Sequence, residues 1–155
     1  MKDILVFAGK QIGFDLLEVL IDMAMPIGKI IAASDDDRKI VELATLNNIP
    51  TLTHSSQTEA ELVADGHRYS WLLNFWSPHI LRQKVLSLGE HRLNVHPGLV
   101  PNCRGQDSAA WAIRKSLPAG VSLLEMSEGI DDGDIYLQKE VAYQYPITGK
   151  ELHER

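Results

Sequence analysis

The sequence predicts an α/β fold: an open, mostly parallel, twisted sheet of about seven strands with helices on both faces and the last strand antiparallel. Three observations carry that expectation. Short apolar runs rich in strand formers alternate with segments of helical period along most of the chain. The run "SWLLNFW" (residues 70–76) is apolar on both faces, as a strand inside a parallel sheet should be. The connection "SEGIDDGD" between the last two strand-like runs is too short for a crossover helix, so those strands must be antiparallel.

The elements follow in order. "DILVFA" (3–8) is the first strand, and "GKQIG" a tight turn after it. "FDLLEVLIDMA" then sets Leu17, Leu20, Ile21 and Ala24 at helical spacing. "KIIAAS" is a second strand, and Asp35-Asp36-Asp37 a solvated turn that caps the next helix. "DRKIVELATLNN" places Ile40, Leu43 and Ala44 along one face. "IPTLT" is a short third strand, and "SQTEAELVADG" a polar helix stopped by Gly66.

The fourth strand leads into "SPHILRQKVLSLG", which reads as a helix with Ser77 as cap, Pro78 in the first turn and Gly89 as stop. "HRLNV" is the fifth strand, and "QDSAAWAIRKS" a helix capped by Asp107 or Ser108. "AGVSLLEM" and "DIYLQKEVAY" are the final strands. "ITGKELHER" starts a helix that stops after about two turns, so the natural domain is expected to continue past Arg155. Trp71, Trp111, Met23, Met25 and Met126 are expected to pack in the interior.

Size and composition narrow the classes. With 155 residues the chain supports one domain with one core, expected to span 1–155. The hydrophobic share of 45% and charged share of 23% are those of a soluble globular protein. No apolar run approaches the ~20 residues that cross a bilayer, and the N-terminus does not read as a signal peptide. A single cysteine, Cys103, leaves no internal disulfide and no cysteine-cluster metal site, and no neighbouring base marks it as a nucleophile. His54, His67, His91 and His153 lack a paired spacing for metal. These features point to the cytoplasm, with no membrane partner. The formal charge of −6, with basic residues scattered, argues against nucleic acid held by this domain alone.

In an open parallel sheet, ligands bind beyond the carboxyl ends of the strands. Three loops leave such ends here. "GKQIG" has two glycines only; it is neither the dinucleotide fingerprint nor a phosphate loop. "LNVHPGLVPNCRG" (93–105) puts Asn94 and His96 two apart, so both side chains project to one side of the strand end. An amide donor beside an imidazole suits the stabilisation of a developing oxyanion and proton transfer. A structural Asn–His pair would give the same spacing. "EGIDDGDI" (128–135) reads first as a hairpin turn at Asp132-Gly133. That turn does not require Asp131, whose carboxylate could orient a histidine and raise its basicity. The spacing does not fit an EF-hand calcium loop.

"NVHPGLVPNCRG" and "IDDGDI", at this separation, resemble the folate-dependent formyltransferases. These include glycinamide ribonucleotide, methionyl-tRNA and sugar-nucleotide N-formyltransferases. The shared pattern is Asn-x-His-Pro-Ser-Leu-Leu-Pro-x-x-Arg-Gly and, later, x-Asp-x-Gly-x-Ile. The resemblance runs from the first strand to Val141 and implies the Rossmann-like formyltransferase fold. It implies Asn94, His96 and Asp131 as catalytic residues. It implies a pterin-binding loop in "FWSPHIL", with Trp76, Pro78, His79 and Leu81 as lining and Ile130 across from them. Arg104 is expected to anchor an anionic group of the acceptor.

The activity implied is transfer of a formyl group from N10-formyltetrahydrofolate to a primary amine, without metal. The acidic charge and the missing phosphate element in "GKQIG" favour an amino-sugar nucleotide as acceptor. The catalytic domain of a methionyl-tRNA formyltransferase, a folate hydrolase and a non-catalytic folate binder are the alternatives. The resemblance leaves room for a homodimer. One departure stands out: Gly98 replaces the usual serine and is expected to loosen the loop after the histidine.

Overall fold

A computed structural model describes residues 3–155, and the chain divides into two compact units between Leu93 and Asn94. The strands are β1 (Ile4–Ala8), β2 (Ile27–Ala32), β3 (Thr51–Thr53), β4 (Tyr69–Phe75), β5 (Gly89–His96), β6 (Ala119–Glu125) and β7 (Ile135–Val141). The helices are α1 (Lys10–Asp22), α2 (Arg38–Leu46), α3 (Ser56–Asp65), α4 (Gln83–Leu86), α5 (Ser108–Lys115) and α6 (Gly149–His153). The seven strands are hydrogen-bonded in the order β3-β2-β1-β4-β5-β6-β7, with β5 carrying the chain from the first unit into the second. The expected fold class is therefore present: β1 pairs in parallel with β2 and β4, β2 with β3, and β6 with β7 antiparallel.

In the first unit β1 is buried at every position, which is why it reads as an unbroken apolar run. Leu17, Ile40, Ala44 and Leu62 seal the helices onto this core. The strand order reverses between β1 and β4, the place where an open sheet offers a crevice at its strand ends. "GKQIG" is not a free turn: α1 begins at Lys10, and Gly13 lies so close to β4 that a Cβ would sit 2.6 Å from the Phe75 carbonyl. Ala24 falls beyond α1 and is exposed. Asp37 precedes α2 but does not cap it. Its carboxylate accepts from Ser34 N (2.9 Å), Ser34 Oγ (2.9 Å) and Lys10 N (2.6 Å).

The largest departure from the sequence reading lies after β4. Residues 77–82 are not helical, and α4 spans four residues only. Gly89, expected as a helix stop, opens β5. Tertiary anchors override a good helix-start signal here. Trp76 turns the chain through a left-handed conformation (φ 63°), Leu81 is 4% exposed, and His79 Nε2 lies 2.8 Å from the Ala33 carbonyl. Its ring also stacks on His54, centroids 3.6 Å apart. Trp71, Trp111, Met23 and Met25 are not core residues, at 36%, 42%, 65% and 39% exposure. Trp71 instead lies against the His91 ring, and Trp111 carries Arg114 and Lys115 over its face.

The second unit has its own small core of Cys103, Ala109, Ala112, Ala119 and Leu152, with Tyr143 packed against it. The Tyr143 hydroxyl donates to the carbonyls of Ala112 (3.1 Å) and Leu117 (2.8 Å). α5 packs against α6 and β6. The β6–β7 connection is not a two-residue turn. It is a nine-residue loop (126–134), in which Asp131 takes a left-handed backbone (φ 47°). No helix among the described residues is long and apolar enough to cross a membrane.

Candidate active site

Asn94 and His96 close β5, on the same side of the strand because side chains two apart point alike. The Asp131 loop meets them within the second unit. Asn94 Nδ2 donates to Asp131 Oδ1 at 2.9 Å, and His96 Nδ1 lies 3.2 Å from Asp131 Oδ2. The Gly105 amide donates to the same Oδ2 at 3.0 Å. Arg104 Nε donates to the Asp131 main-chain carbonyl at 2.8 Å, and Arg104 Nη2 lies 4.0 Å from Asp132 Oδ2. Asn94, His96 and Arg104, all from the stretch 93–105, are thus brought together with Asp131.

The histidine is enclosed. His96 is 4% exposed, and its Nε2 lies 2.6 Å from the Cys103 carbonyl. A carbonyl only accepts, so Nε2 carries a proton in that bond. With a carboxylate facing Nδ1, a cationic ring donates at both nitrogens and a neutral ring at one only. Gly98 makes this arrangement possible. A Cβ there would lie 2.6 Å from the Cys103 carbonyl oxygen and 2.9 Å from His96 Nε2. The loop after the histidine is therefore tightened, not loosened, by the glycine.

Further bonds fasten the same loop. Ser122 Oγ donates to the Gly98 carbonyl (2.5 Å) and accepts from Val100 N (3.2 Å). Gln138 Nε2 donates to the Val100 carbonyl (2.9 Å) and to Ser122 Oγ (2.8 Å). Ser108 Oγ bonds the Pro97 carbonyl. Burial raises the Cys103 thiol above its ordinary range, with Lys115 opposing weakly, so the thiol stays neutral and inert.

Of the residues expected to line a pterin, four belong to the first unit. Trp76 and His79 are half-buried, Pro78 is exposed, and Leu81 is a core side chain that anchors the segment. Ile130, on the loop of the second unit, is 58% exposed. Ser77 Oγ is buried without a hydrogen-bond partner among the described residues. An orphaned hydroxyl in this segment fits a ligand with a polar ring edge. Among the described residues no group of three or more His, Cys, Asp or Glu could hold a metal ion.

The sequence reading missed three participants: the Cys103 carbonyl, the Gly105 amide and the space above Gly98. The first two are main-chain groups and leave no side-chain signature. Gly98 did stand out in the sequence, but with its effect inverted.

Residues 23–155 match the family model described as formyl transferase. A methionyl-tRNA formyltransferase of Clostridium acetobutylicum is 31% identical over 82% of this chain and 41% of its own length. One from Acetivibrio thermocellus is 27% identical over 97% of this chain and 53% of its own. The chain thus spans about half the length, or less, of these relatives. Among solved structures, a glycinamide ribonucleotide transformylase from Geobacillus kaustophilus superposes with a TM-score of 0.84 at 24% identity, covering 100% of this chain and 90% of its own. A sugar N-formyltransferase from a Shewanella species gives 0.71 at 22% identity, covering 99% and 63%. At these identities the structures speak for the fold.

Proposed function

This chain belongs to the formyl transferase family, and from that premise we propose that it moves a formyl group from N10-formyltetrahydrofolate to a primary amine, with residues 1–155 as catalytic domain. One observation carries the reading: Asn94, His96 and Asp131 converge within 2.9–3.2 Å. The donor supplies an activated formyl carbon. The segment 76–81, with its orphaned Ser77 hydroxyl and half-buried Trp76 and His79, is the part of the first unit suited to hold the pterin.

The roles follow from the chemistry of the three groups. When the amine attacks, charge develops on the formyl oxygen. Asn94 supplies an amide N–H to that oxygen, with its carboxamide oriented by the bond to Asp131. His96, bonded at Nε2 to the Cys103 carbonyl, acts through its contact with the Asp131 carboxylate. Asp131 orients the imidazole and takes part in moving the amine proton toward the leaving nitrogen.

For the acceptor we favour an amine on a sugar nucleotide, because the net charge of −6 disfavours polyanionic RNA on this chain alone. A second reading, the aminoacyl amine of methionyl-tRNA, is supported by the names of the relatives. Incubation with formyltetrahydrofolate and either a 4-amino-sugar nucleotide or charged initiator tRNA separates them by mass of the product. Formate release without an acceptor would mean hydrolysis. Folate binding with no turnover across an acceptor panel would overturn transfer altogether.

A further inference from the structure

Arg104 reads from the sequence as an anchor for an anionic acceptor. The geometry points to another role, which rests on the reading of Asn94, His96 and Asp131 as the transfer site: Arg104 is a positioning residue that clamps Asp131. Asp131 holds a left-handed backbone (φ 47°), a region that few residues other than Gly, Asn and Asp enter and that tertiary bonds must fix in place. Two adjacent residues enforce it here. Arg104 Nε donates to the Asp131 carbonyl at 2.8 Å and so fixes the peptide plane that leaves Asp131. The Gly105 amide donates to Asp131 Oδ2 at 3.0 Å and fixes the carboxylate. Gly105 is itself left-handed (φ 76°), which a glycine adopts without strain.

The consequence is that main chain and side chain of Asp131 are set from one dipeptide. The carboxylate then presents Oδ1 to Asn94 and Oδ2 to His96. The neighbouring Asp132 is tied as well, by a bond from Ser127 Oγ and by Arg104 Nη2 at 4.0 Å. An arginine suits this task because Nε–H sits on a rigid planar fork. Lysine has the charge but no donor at that position. With its side chain 44% exposed, Arg104 can be replaced without opening a core.

The test compares Arg104→Ala, Arg104→Lys and Asp131→Ala with the wild-type chain. Two quantities are read: the kcat and acceptor KM of formyl transfer, and solvent exchange of the Asn94 side-chain amide protons by NMR. A clamp predicts that both arginine variants lose kcat by on the order of 10- to 100-fold, the effect of a small misplacement at a reacting centre. Acceptor KM stays within about twofold on this view, because positioning does not bind the acceptor. The Asn94 amide protons exchange faster in both variants, toward the rate in Asp131→Ala. A raised acceptor KM, near-normal Arg104→Lys and unchanged Asn94 exchange would overturn the clamp and restore the anchor. Should the wild-type chain transfer to no acceptor, the transfer reading falls, and the exchange rates alone then decide the clamp.

Discussion

Asn94 donates a side-chain N–H to Asp131 Oδ1 across 2.9 Å, joining the end of β5 to a loop 37 residues further along the chain. The bond matters because the same carboxylate also receives the Gly105 amide and faces His96. One anionic group thereby fixes an amide and an imidazole relative to each other.

Asn94→Ala removes the donor proposed for the developing oxyanion and should slow transfer by on the order of a hundredfold or more. Asp131→Asn keeps the shape and suits the left-handed backbone, since asparagine tolerates that region. It removes the negative charge facing His96, and a loss of similar order is expected. Both variants should fold with an unchanged far-ultraviolet circular dichroism spectrum. Wild-type turnover from either one would refute its role.

Much of this site was legible in the sequence because it is carried by side chains at fixed spacing. Asn94 and His96 sit two apart on a strand, and Asp131 stood out as the acid that a turn at Asp132-Gly133 did not need. The parallel sheet was legible for a related reason, since β1 is buried at every position and β4 from Leu72 to Phe75, and both read as largely apolar runs. The segment 77–82 was not. Its Ser-Pro start has the local chemistry of a helix. What holds it extended is distant in sequence: the Ala33 carbonyl under His79, the His54 ring, and the core that takes Leu81. Nor could spacing predict that Trp71 and Trp111 stay near the surface, because an apolar run does not say which of its members faces a neighbour.

Gly98→Ala tests the packing over the histidine. The added Cβ would meet the Cys103 oxygen at 2.6 Å, Ser108 Cβ at 2.8 Å and His96 Nε2 at 2.9 Å. The nearest of these is a main-chain oxygen, and the His96 ring is buried and bonded on both sides. Overpacking of this kind costs about 1–3 kcal/mol. The urea midpoint should fall accordingly, and the His96–Cys103 bond should be lost. A variant as stable as the wild-type chain would show that the loop yields freely.

The thiol of Cys103 is 1% exposed and its pKa is raised by burial, so little thiolate forms at neutral pH. Only the thiolate reacts with alkylating reagents. Native protein at pH 7.5 should therefore react at least about tenfold more slowly than the urea-unfolded chain. Equal rates in the two states would place the thiol at the surface.

The start of α6 carries a reciprocal cap. Thr148 Oγ1 accepts from Glu151 N at 3.2 Å, while Glu151 Oε2 accepts from Thr148 N and Oγ1, each at 2.7 Å. Two donors at the helix start are satisfied reciprocally. Thr148→Ala should cost about 1 kcal/mol, the usual loss on removing a cap. The hydrogen bonds from the Thr148 backbone and side chain hold the Glu151 carboxyl below its ordinary pKa of 4.5. A carboxyl lowered by folding adds stability above its unfolded value, and that contribution disappears as pH falls through the lower folded value. Glu151→Gln should thus destabilise the chain at pH 7, and the gap to the wild-type chain should narrow at pH 3. Urea midpoints at both pH values check this. A gap of the same size at pH 3 would mean that the charge of Glu151 contributes nothing to the cap.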